Sequence, residues 1–212
     1  MKHRLLTAAC AVLLTACSLA GCGAAESQEV HTSDEMPYGA TFATDSSRDI
    51  ALSFDKRFVD DALADKIYTY YHSIQEKDGE AFGSVMFPLY HAYQLETLYE
   101  NELSDQQIVE NSYDAIKEHF GYDFDYSFIE ITDLVADPED SGSDTSLPAL
   151  LDQLAKEKGD KAVSEDTQHL YAMYMTRHVT EKGSGDKTET PDTLTGETLY
   201  AIQYQNEWYL IY

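Results

Sequence analysis

Thr195-Gly196-Glu197-Thr198-Leu199-Tyr200-Ala201-Ile202-Gln203-Tyr204-Gln205-Asn206-Glu207-Trp208-Tyr209-Leu210-Ile211-Tyr212 is the stretch that decides the fold. Its two arms alternate apolar and polar residues and are dense in Tyr, Leu and Ile, the pattern of a half-buried antiparallel strand pair. Gln205-Asn206 between them marks a tight hairpin. Working backward, Gln168 to Thr180 alternates in the same way, and Phe124, Tyr126, Phe128 and the run Ile129 to Val135 read as another strand. A longer hairpin loop is expected from Lys182 to Pro191, and a polar loop from Asp137 to Ser146. Leu147, Leu150, Leu151 and Leu154 suggest one short helix before the next strand.

The first half has a helical period instead. Phe58, Ala62, Leu63, Ile67, Tyr70, Tyr71 and Ile74 share one stripe, and Asp78-Gly79 is expected to end that helix. A second helical region runs from about Glu80 to Glu100, interrupted near Pro88, which lacks a backbone donor. Ser104 with Gln107 forms a capping box for a third helix, carried by Val109, Tyr113, Ile116 and Phe120 as far as Gly121. Helices first and strands afterward make the class α+β.

The N-terminus carries a different message. Lys2, His3 and Arg4 precede an apolar run from Leu5 to Ala16, too short and too interrupted to span a bilayer but suited to an export signal. Leu19-Ala20-Gly21-Cys22 resembles the lipobox of bacterial lipoproteins, in which the cysteine after two small residues receives a diacylglyceryl group. The resemblance implies cleavage after residue 21, lipidation of Cys22 and residence on the extracytoplasmic face of the cell membrane. Leu14-Thr15-Ala16-Cys17 is a looser rival, and an ordinary secreted protein is the alternative to both. Residues 22–50, rich in Ala, Ser, Thr and acids, read as a tether, leaving 51–212 as one domain.

Among 212 residues, 39 acids face 14 basic groups; without Lys2 and Arg4 the basic count is 12 and the net charge near −27. Such a surface argues against nucleic acid, which needs a basic footprint, and against holding an anionic membrane by protein charge. The expected membrane partner is therefore reached through the diacylglyceryl anchor, since two acyl chains suffice where one is marginal. Cys10 and Cys17 precede Cys22, so a domain lipidated there has no free thiol and no disulfide.

Ile202-Gln203-Tyr204-Gln205-Asn206-Glu207-Trp208-Tyr209-Leu210, together with Tyr70-Tyr71 a few residues before Lys77-Asp78-Gly79-Glu80, resembles the NTF2-like (cystatin-like) domains of exported lipoproteins. The resemblance implies N-terminal helices packed on a curved antiparallel sheet that together enclose a cone. The chain departs from that pattern by an insertion between Asp137 and Lys158. Tyr71, Phe82, Tyr93, Tyr113, Tyr174 and Trp208 are the candidate cavity or binding residues, although at helix and strand spacing Tyr70, Tyr71, Tyr113, Tyr171 and Tyr174 read more readily as packing, and Trp208 as packing the last strand against the first helix.

Fold alone does not select a function. The leading expectation is a non-catalytic module that binds a small ligand or a protein partner. The alternatives are an isomerase- or dehydratase-type enzyme in the cone, and a structural accessory subunit of an envelope complex. His72, His91, His119, His169 and His178 are available as bases, but no spacing pairs one with an orienting group, so no catalytic residue is assigned. No cofactor is implied. No metal site is expected either: Asp137 to Asp144 imitates a calcium loop with Gly142 in sixth place, yet the twelfth residue is Pro148 rather than a bidentate Glu.

Overall fold

The computed structural model describes residues 36–138, 146–183 and 191–212. Cys17, Cys22, the export signal and most of the calcium-like loop lie outside the described residues. From Pro37 onward the chain forms one compact unit, with six strands and five α-helices among the described residues. The strands are β1 (Phe42–Asp45), β2 (Ala51–Asp55), β3 (Phe124–Ala136), β4 (Thr167–Glu181), β5 (Asp192–Tyr204) and β6 (Glu207–Ile211). They lie side by side in the order β1 to β6 in a single sheet.

Two expectations are corrected here. The sheet is mixed, because β2 pairs in parallel with β3, Leu52 opposite Ile129. The tether also stops well before residue 50: β1 pairs with β2, and Ile50 is buried. The link that holds β1 is Asp55, a fully buried carboxylate that accepts from Gly39 N at 2.9 Å, from the Thr41 hydroxyl, and from Arg57 Nη2 at 2.6 Å. Arg57 in turn donates to the Pro37 carbonyl at 2.7 Å. These contacts, chiefly those of Arg57, hold the Asp55 carboxyl far below the usual carboxylate range. A polar stretch is thus structured by one buried acid that its own composition does not advertise.

The helices are α1 (Asp61–Glu76), α2 (Gly79–Val85), α3 (Pro88–Tyr93), α4 (Asp105–Phe120) and α5 (Leu147–Lys158). Helix α1 buries Leu63, Ile67, Tyr70, Tyr71 and Ile74 of the expected stripe, but Ala62 is exposed with Ala64 buried in its stead, and Phe58 precedes the helix. It stops at Lys77 in the left-handed region (φ 55°), one residue earlier than the Asp-Gly pair implies. Asp78 instead caps α2, and Gly79 serves close packing: a Cβ there would lie 2.5 Å from the Gln106 backbone nitrogen at the start of α4. The second helical region is three pieces, α2, α3 and a π-helical turn from Gln94 to Leu98, and Pro88 starts α3 rather than merely breaking a helix. Between α2 and α3, Met86 forms a parallel bridge with Leu210, and Phe87 N donates to the Leu210 carbonyl at 2.8 Å along the free edge of β6. The capping box of α4 forms as read, with Ser104 and Gln107 reciprocally bonded.

Long strands bend where their pairing slips. The β3–β4 ladder shifts register between Tyr126 and Phe128 and between Ile131 and Asp133, and the β4–β5 ladder between Met175 and Arg177. In the last case β5 carries one extra residue, and Gly196 takes φ 87° there. Helices α1, α2 and α4 lie on the inner face over Ile129, Ile131, Met173, Met175, Leu199 and Ala201. A separate apolar cluster of Phe87, Leu151, Ala155, Val163, Leu170, Ile202 and Ile211 sits on the outer face. Alternation of the strands puts the two clusters on opposite sides.

Candidate functional site

The six residues expected to line a cone are not brought to one cavity. Tyr71 and Phe82 are buried in the inner core, each ring about 5 to 6 Å from Tyr70. Tyr113 stacks on Phe124 at 4.7 Å and donates to Asp123 at 3.0 Å. Trp208 donates its Nε1 hydrogen to Asp60 Oδ2 at 3.2 Å, and Asp60 is the residue that caps α1. Tyr93 is half-buried beside Tyr90 on α3. Tyr174 is 43% exposed, on the outer face, because its neighbours Met173 and Met175 occupy the inner one.

What the inner face does assemble is a polar cluster. Glu197 Oε2 accepts from the Tyr71 hydroxyl at 2.7 Å and Oε1 from Tyr70 at 3.3 Å. Arg177 Nε lies 3.2 Å from Glu197 Oε2, with side-chain exposures of 16% and 19%. Met175 pairs directly with Glu197, so the slip at Gly196 sets the acid beside Arg177. The Tyr126 hydroxyl, buried against the same guanidinium, meets no partner at hydrogen-bonding geometry. Its backbone N–H, freed by the neighbouring bulge, donates to Gln75 Oε1 of α1 at 2.7 Å.

Burial pushes the Tyr70 and Tyr71 phenols well above their ordinary ionisation range, and the Glu197 charge adds to the push. Arg177 is also raised: burial works against its charge, but Glu197 and the three phenols outweigh that. Neither Arg177 nor Glu197 belongs to the expected site. Both occupy inward positions of the alternation, Arg177 two residues after Met175 and Glu197 two before Leu199, which is the signal that marks them.

This cluster is a poor acid–base site, since both Glu197 oxygens are engaged by donors of the protein itself. The five histidines among the described residues share another setting, each against an aromatic ring: His72 on Tyr68, His91 on Phe82, His119 on Phe120, His169 on Tyr171 and His178 on Phe128. His91 also bonds Asp105 at 2.7 Å. Among the described residues no group of three or more His, Cys, Asp or Glu is placed to hold a metal ion.

The outer face offers the better receptor geometry. Helix α5, capped by Ser146 and ended by Gly159 at φ 80°, lays Leu151 and Ala155 on Leu170 and Ile202. Between its C-terminal end, the start of α3 and the β5–β6 hairpin lies a cleft of about 390 Å³. Phe87, Leu89, Tyr204 and Tyr209 form its apolar walls. The Phe87 ring centroid lies 5.5 Å from that of Tyr204 and 5.7 Å from that of Tyr209, with interplanar angles of 71° and 62°. The hairpin turn, Gln205 and Asn206 both at positive φ, fixes the rim. From it Gln205 Nε2 donates to Tyr204 Oη at 3.1 Å and Asp166 Oδ2 at 3.2 Å.

A larger groove of about 530 Å³ lies between β1 and α1, but it is lined mainly by charged and small residues, and its Arg48 and Asp65 are paired with each other. A concave, mostly apolar wall with a few polar groups fits the outer cleft better. No family model, curated protein or solved structure matches this chain.

Proposed function

We propose that this chain is a lipoprotein anchored by a diacylglyceryl group on Cys22 to the extracytoplasmic face of a membrane, with an NTF2-like domain that binds a ligand without catalysis. The lipobox carries the location. The binding reading is carried by the aromatic cleft on the outer face, set against an inner face filled by Tyr70, Tyr71, Phe82, Phe124 and Tyr126. A long helix over a bent sheet that ends in the Trp208 strand supports the NTF2-like assignment; the parallel β2 and the outer helix α5 are its departures.

Because the compact unit begins at Pro37, only residues 23–36 separate Cys22 from it. Covalent geometry limits that reach to at most about 50 Å. For so acidic a chain, acyl chains rather than protein charge would supply the attachment.

Two experiments test this. Cys22→Ala is expected to release the protein from the membrane fraction, and full retention overturns the anchor. Native mass spectrometry of the full chain, purified from its host in mild detergent, is expected to show a small ligand that Tyr204→Ala loses and Glu197→Gln keeps. The opposite pattern moves the site to the inner cluster and revives the enzyme reading.

A further inference from the structure

We infer that the outer cleft is a receptor for a small organic cation, a quaternary or alkylated ammonium group; this rests on the cleft being the binding site. The half-buried Tyr204 and Tyr209 turn their rings toward the cleft, each set steeply against the buried Phe87 ring that backs them. Such a corner offers aromatic faces and edges to a rounded ligand, and the negative face of a π system attracts an alkylated ammonium. Tyr209 already holds a cation in this way within the chain, the Lys66 ammonium lying 5.3 Å from its ring centre.

The rim carries matching charge. Asp160 and Asp166 border the cleft against the single Lys161. Asp166 is fixed in place by Gln205, which also orients the Tyr204 hydroxyl. Leu89, Ala155 and Val163 complete an apolar wall that suits N-methyl groups. The net charge of −25 draws cations toward the whole surface. Selectivity then comes from the rings, because a bare metal ion gains little from them without shedding its water.

The test is a titration of the full chain in detergent micelles with choline, with its neutral isostere 3,3-dimethyl-1-butanol, and with acetate, followed by the NMR shifts of ring-labelled tyrosines. Choline is expected to shift Tyr204 and Tyr209 and to bind at least about fivefold tighter than the isostere. Asp166→Asn, a change at the rim that leaves the rings in place, is expected to weaken choline severalfold and the isostere not at all. Tyr204→Leu is expected to weaken both. Equal binding of choline and isostere overturns the cation assignment but keeps the cleft as an apolar binding site. No shift at Tyr204 or Tyr209 with any probe overturns both.

Discussion

The two faces of the sheet bury apolar surface by different means. On the inner face α1 lies across strands whose bulges turn side chains toward it, and the space is closed by interlocked rings and an Arg–Glu pair with two phenols bonded to the acid. On the outer face one short helix covers a smaller cluster and leaves a ring-lined cleft beside it. The inner face therefore supplies rigidity and the outer one room. The difference follows from how many elements pack on each side, three helices against α5 with the α3 start.

The largest effect expected to break this contrast is alkaline. Tyr70, Tyr71 and Tyr126 are held neutral by burial, their folded pKa above that of an unfolded tyrosine, near 10. Their contribution to stability is complete below pH 10 and lost as pH rises past it, at about 4 kcal/mol per pH unit for the three together. The domain should unfold cooperatively within about two units above pH 10. Absorbance at 295 nm should show these three phenols ionising only with loss of the far-UV circular dichroism signal; early ionisation of all sixteen tyrosines would mean an open interior.

Arg177→Met comes next. It strands Glu197 among buried phenols, and a cost of about 3 kcal/mol in urea unfolding is expected. Adding Glu197→Gln should recover much of it; a double variant no better than the single one would show that the charge pair was not the cause.

Leu151→Ala acts on the other side, at a cost of about 2 kcal/mol. Here the sharper readout is hydrogen exchange: amides of α5 should open faster while those of α1 stay protected. Equal loss of protection on both faces would make them one cooperative unit.

Ser104→Ala is the smallest change. It removes the cap of α4 and should cost about 1 kcal/mol with no change in α5 exchange.

Local rules made most of the long elements legible. The stripe of α1, the Ser104–Gln107 box, the leucine-rich α5 and the Gln205-Asn206 hairpin are written within a turn or two of chain. Strands β1 and β2 are not, because their pairing depends on Asp55 reaching back to Gly39 and Thr41 and on a parallel register with β3 from more than 70 residues away. The inner polar cluster was hidden for a related reason: a lone Arg or Glu in an alternating strand reads as surface until the face of its neighbours is counted. The outer cleft needs Phe87, Tyr204 and Asp166 from three separate elements, and no spacing in one dimension announces that meeting.

Both margins of the sheet are blunted. Strand β1 is four residues long, and its neighbouring amides turn inward to Asp55. At the opposite margin the Leu210 carbonyl is already taken by Phe87 N. A sheet finished in this way resists growth by strand addition from another chain. The margins thus leave another chain little free backbone to pair with, so contacts made by this sheet fall to side chains.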